Sequence, residues 1–160
     1  MKKTVIEPHK SSLGMEANIA VIIVYAAMAV VSWMSYLGWF AWVVPLAFFY
    51  IEKESKFVKF QSAQALLIGV ASAAVSIVLR IFIWILTPRD IYSTLNYVMG
   101  RGWGAWRLVG TLATIFGIAF TLLEAYIIFN AYFYKQVELP AVGPTVVKVS
   151  EKLENYQSKQ

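Results

Sequence analysis

FFYIEKESKFVKFQSAQALLIGV, Phe48 to Val70, places Glu52, Lys53, Glu54, Lys56 and Lys59 between two apolar runs and then leads into a segment with two glutamines and several small residues. Upstream, Ala17 to Ile51 carries no charge at all. As one helix that tract would be ~52 Å long, against a bilayer hydrocarbon core of ~30 Å. A single span cannot absorb it, and Gly38 and Pro45 weaken or kink a helix inside it. The tract therefore divides near Tyr36 to Trp39, predicting a first helix over Ala17 to Ser35 and a shorter second one over Trp39 to Ile51. The charged stretch becomes a connector between membrane-spanning helices.

Downstream, Ala63 to Leu86 and Leu108 to Tyr134 are each long enough to cross the core with some tilt. Between them, Thr87 to Arg107 is too polar to span. Ile91, Leu95 and Val98 recur there at helical spacing, and Trp84, Tyr92, Tyr97, Trp103 and Trp106 crowd the vicinity. That pattern predicts an amphipathic helix lying on the interface within an aromatic belt, followed by a glycine turn. The expected fold is an all-α integral membrane protein of four transmembrane helices. Residues 1–16 form a polar N-terminal segment, 17–134 the membrane domain and 135–160 a polar tail, soluble and partly helical or disordered after Gly143.

Composition agrees with this class. The chain is 59% hydrophobic and 14% charged, where soluble domains hold about 25% charged residues. In a soluble protein a net charge of +5 would point to a nucleic-acid partner, but here the basic residues flank apolar runs, so the expected partner is the lipid bilayer and not nucleic acid. Lys2 and Lys3 precede an apolar run containing Ala27-Met28-Ala29, which resembles a signal peptide with a cleavage site. The apolar stretch continues past it, so the expectation is an uncleaved first helix. With four spans, Lys2, Lys3, Lys10, Lys53, Lys56, Lys59 and Lys135 share one side, while Arg89, Arg101 and Arg107 lie opposite. The positive-inside rule then puts both termini in the cytoplasm, with the cell membrane as location.

Lys56 and Lys59 meet the headgroups in this reading while Phe57 and Phe60 dip into the acyl boundary. Beyond them, Gln61, Ala65, Gly69, Ser72, Ser76 and Arg80 follow at three- or four-residue steps on one face. Gln64 lies nearby, and Gly69-x-x-x-Ala73 is a small-xxx-small match. The fourth helix has a comparable stripe of Gly110, Thr114, Gly117, Thr121 and Glu124. These stripes predict that the third and fourth helices pack face to face around a buried Glu124. An ion in mid-bilayer costs about 3 kcal/mol on insertion scales. Arg80 can snorkel from near its helix end, but Glu124, ten residues before Tyr134, lies ~15 Å deep. Gln64, Ser72 and Asn130 are its candidate hydrogen-bonding partners.

Two segments, EKESKFVKFQSAQAL and AYFYKQVELPAVG, resemble the signature regions of a prokaryotic family of small membrane proteins of unknown function. That family is related to the twenty-kilodalton subunit of the chloroplast inner-envelope protein translocon (Tic). Phe57, Val58, Phe60, Gln64, Ala65, Ala131, Tyr132, Leu139, Pro140 and Gly143 carry the resemblance, with Lys59 standing for the usual Arg. Gln61 replaces the family's common His or Asn and Ser62 its Ala, so a role of that histidine does not transfer. The resemblance implies a four-helix fold and a part in protein passage.

Catalytic chemistry finds little to build on. His9 is the sole histidine and cysteine is absent, so neither a Cys/His metal cluster nor a Ser-His-Asp triad can be assembled. Gly100-x-Gly102-x-Gly104 lacks the preceding strand of a phosphate loop and reads as a turn. The expectation is a non-enzyme without a cofactor. Three roles remain: a translocation-related membrane subunit, a scaffold or regulatory subunit packing against other membrane proteins or copies of itself, and a small ion or solute carrier using Glu124.

Overall fold

The computed structural model describes residues 2–34, 37–86, 105–139, 143–146 and 148. Four helices dominate: α1 (Ala17–Trp33), α2 (Val43–Ile51), α3 (Lys56–Leu86) and α4 (Ala105–Tyr132), with a 3-10 turn over Gly38–Phe40 between the first two. Two segments, Lys56–Phe82 and Arg107–Tyr132, are long and apolar enough to cross a bilayer, and Ala17–Trp33 and Gly38–Ile51 are shorter apolar helices. The predicted interfacial helix falls mainly on residues outside those described.

The all-α expectation needs one correction. Strand β1 (Lys2–Val5) pairs antiparallel with β2 (Lys135–Glu138), Lys2 opposite Glu138 and Val5 opposite Lys135. A polar N-terminal segment and the start of the tail thus form a ribbon that closes one end of the molecule. Val146, read as part of a soluble tail, is fully buried and packs in a small cluster with Phe49 and Ala63.

Local chemistry explains the helix boundaries. The first apolar tract reverses at Gly38, where an added Cβ would sit 2.7 Å from the Ser32 carbonyl oxygen, so only glycine fits. Pro45 lies in the first turn of α2, where its missing N–H leaves no helical bond unmade. Helix α3 begins at Lys56, seven residues before the predicted start. The Ser55 hydroxyl accepts from the Val58 N–H at 3.2 Å, an N-cap that converts half the charged connector into helix.

The main core lies in the half of the molecule nearest this ribbon. Ala17, Ala20, Val21, Val24 and Tyr25 of α1 pack there with Phe57, Val58, Ala65 and Ile68 of α3 and Ile127 and Ala131 of α4. Toward the other end the helices present Ile77, Val78, Ile81, Phe82 and Trp84 on α3, and Ile115, Phe116, Ile118 and Leu122 on α4, all exposed. So extended an apolar surface is compatible with lipid and unfavourable in water.

The predicted face-to-face packing of small residues is only half present. At Gly69 an added Cβ would lie 3.1 Å from Cα and Cβ of Trp42 and 3.3 Å from Met28 Sδ, so α3 meets the α1–α2 hairpin closely there. At Gly110 and Gly117 nothing described lies within 4 Å. Thr114 and Thr121 are exposed and donate to the carbonyls of Gly110 and Gly117 in their own helix, 3.0 Å each. The α4 stripe is therefore open and not a packed seam.

Candidate functional site

The opening of that stripe creates a cavity of about 930 Å³ between α1, the 3-10 turn, α3 and α4. Gly69, Ser72, Ser76 and Arg80 line it from α3, Gly117 and Glu124 from α4, Ser32 from α1 and Trp39 from the turn. The residues singled out on two separate helices thus share one space. Lys59, Phe60, Gln61, Gln64 and Thr121 are not among its lining residues.

Contacts at the ribbon end set the depths within it. The rings of Phe57 and Tyr134 stack with centroids 6.2 Å apart, and the Asn18 amide donates to the Tyr132 carbonyl at 3.1 Å. From that level, the eight helical residues back from Tyr132 carry Glu124 ~12 Å along its axis, and twenty-three from Phe57 carry Arg80 ~35 Å along its own. The two charges mark opposite ends of the cavity, more than ~20 Å apart, too far for an ion pair. Arg80 instead lies over the Trp39 ring, 4.8 Å from its centroid, where the π face attracts the cation. Glu124 is half-buried, and no hydrogen bond joins it to Gln64, Ser72 or Asn130. The Asn130 amide donates to the Tyr126 carbonyl of its own helix at 2.7 Å.

Between Glu124 and the ribbon end lies a buried polar layer. The Tyr25 hydroxyl donates toward both the backbone oxygen and Oε1 of Gln61, each at 3.3 Å. Gln64 lies beside that hydroxyl without an aligned hydrogen bond, and Glu124 is near enough for its charge to be felt there. The amide nitrogen of Gln61, the Ser62 hydroxyl and both ends of the Gln64 carboxamide have no hydrogen-bond partner among the described residues. Buried polar groups of folded proteins are nearly always partnered, so this concentration sets the layer apart.

The connector forms a second polar centre. Glu52, fully buried, accepts through Oε1 from the N–H groups of Ser12, Glu54 and Ser55 at 3.0, 3.0 and 2.9 Å, and through Oε2 from the Ser11 hydroxyl. Burial pushes its carboxyl up, but the hydrogen bonds from Ser11, Ser55 and Ser12 outweigh this and hold it at about 2, below the ordinary 4.5. His9 Nδ1 donates to the Glu7 carbonyl at 2.8 Å, and its Nε2 is hydrogen-bonded to the Ser55 hydroxyl at 2.7 Å. The N-terminal arm is thereby stapled to the start of α3. Lys59 extends over the Phe49 ring, 6.0 Å from its centroid, and Phe60 packs against the Phe49 cluster. Both belong to this end of the fold.

Sequence reasoning passed over Glu52, Ser11, His9 and Tyr25. Only Glu52 carries a legible signal, a carboxylate three residues ahead of the serine that opens an apolar helix. No protein-family model matches the chain, and neither does any curated protein or solved structure.

Proposed function

We propose that the chain is a multi-pass membrane protein serving protein translocation, whose cavity holds a polar stretch of a client polypeptide within the bilayer. The observation that carries this reading is the long cavity bearing Ser72, Ser76, Arg80 and Glu124 amid apolar outer helix surfaces. Polar groups at membrane depth belong where they line protein or a water-filled space. From Gly69 to Trp84 the α3 wall runs ~22 Å, the length of about seven extended residues at ~3.3 Å each. The resemblance to the translocon-related family points the same way.

Four crossings with cytoplasmic termini in the cell membrane fit this role. Support comes from three contacts at one end: β1 with β2, Ser11 and Ser12 with Glu52, and His9 with Ser55. These contacts support a reading in which the N-terminus, the connector and the segment after α4 share one side and α1 with α2, and α3 with α4, cross in pairs. The lysines on that side support a cytoplasmic orientation.

A second reading, a small ion or solute carrier, is favoured by Glu124 at the inner end of the same cavity. A photoreactive residue at Ser76, compared with one at the lipid-facing Val78, separates the two in native membranes. Polypeptide adducts from position 76 alone support client binding. Equal adducts from both positions, or none at 76, overturn it; solute flux into vesicles would then favour the carrier.

A further inference from the structure

The unpartnered glutamine amides lie directly below the cavity. Gly69 and Met28 line its inner end; Gln64 is five residues closer to the ribbon end on α3 and Tyr25 three residues closer on α1, displacements of ~7 and ~5 Å. Gln61 and Gln64 stand three apart on one helical face, with the Tyr25 hydroxyl against them. Their unmet groups include donors, the amide nitrogens of both glutamines, and an acceptor, Oε1 of Gln64. A bare cation answers only oxygens. Water answers both, and ordered water characteristically satisfies otherwise unmet buried polar groups.

We propose that Tyr25, Gln61 and Gln64 form a water-binding layer through which Glu124 exchanges protons with the capped side, so that the protein conducts protons across the membrane. A hydronium ion in the cavity gives its proton to the Glu124 carboxylate, one O–H bond of the hydronium breaking to leave water as the carboxyl O–H forms. That carboxyl O–H then breaks as the proton passes to a water held by Gln64 and Tyr25, which becomes hydronium and releases the proton to water on the capped side, restoring the carboxylate. No electrons are exchanged, and the glutamines act only by holding water. Of the groups able to bias Glu124, the Tyr25 hydroxyl on α1 is near enough to interact with its charge, and Arg80 on α3 stands at the far end of the cavity. The inference uses the cavity and Glu124 but does not depend on what cargo the cavity takes.

The test uses the full chain in phosphatidylcholine–phosphatidylglycerol vesicles enclosing a pH dye, with a potassium gradient and valinomycin setting the potential. Wild type is expected to pass protons well above protein-free vesicles, and Glu124→Gln and Gln64→Leu to lose at least tenfold, while the lipid-facing Val78→Ala stays at the wild-type rate. Gln64→Leu removes unmet polar groups, so it should unfold in detergent no more readily than wild type. Hydroxyl-radical labelling of the wild type gives an independent measurement, with Tyr25 oxidised despite its burial. Wild-type flux at the protein-free rate, full flux in Gln64→Leu, or an unlabelled Tyr25 overturns the inference. The Ser76 adducts read client binding separately, so either proposal can fail alone.

Discussion

Replacing Glu52 by glutamine isolates the worth of one charge to the cap. Glutamine preserves shape and one acceptor oxygen but removes the ionisation that the Ser11 hydroxyl and three backbone N–H groups stabilise. A carboxyl held at about 2 against an ordinary 4.5 is displaced by ~2.5 units, which at 1.36 kcal/mol per unit gives about 3 kcal/mol. Because the folded value is the lower one, this stability is fully present above pH ~4.5 and lost as pH falls through ~2. For a chain of this size the loss corresponds to ~6–12 °C in melting temperature. Thermal unfolding of both purified proteins in detergent, followed by circular dichroism, should show that gap at pH 7 and its closure between pH 4.5 and 2. No gap at pH 7, or one that persists undiminished to pH 2, would refute the reasoning.

The two glycine environments predict opposite outcomes. Gly69→Ala forces a methyl against Trp42 and Met28 and should destabilise by ~1–3 kcal/mol, whereas Gly117→Ala, with nothing described to meet, should be neutral or stabilising by up to ~1 kcal/mol; melting temperatures of the two variants decide. For topology, a cysteine at the exposed Lys53 should resist an impermeant reagent in intact cells and react after permeabilisation, while one at Ser93 should react in both states. Labelling of position 53 in intact cells contradicts the proposed orientation.

Much of the helical framework was legible because long apolar tracts are a strong local signal, and Gly38 divides the first of them where the backbone does turn. The cap was not. The strands KKTV and KQVE are four residues each and lie some 130 residues apart, so neither carries enough period to announce itself, and only the folded chain brings them together. Glu52 reads as a solvated charge until Ser11 and Ser12 are seen to bury it. The α4 stripe misled differently. Small residues at helical spacing serve equally a tight seam or the wall of an open space, and Gly69 took the first course while Gly117 took the second. The cavity residues were therefore found as candidates from periodicity, but their joint placement was not, since it depends on how the outer halves of the helices diverge.

The ribbon joining Lys2–Val5 to Lys135–Glu138 has a consequence for how the protein is made. Its first strand leaves the ribosome early and must wait for its partner, over 130 residues later. At translation rates of ~5–20 residues per second that delay is ~7–27 s. Throughout it the amino-terminal arm has no strand to pair with, and in the proposed four-span topology the pairing would close only once every intervening helix has been threaded so that both strands emerge on one side. A chain inserted with one helix missing would leave both strands unpaired, exposing two polar ends in place of a sealed cap. In the proposed topology, closure of the ribbon would therefore distinguish a correctly threaded chain from a misthreaded one.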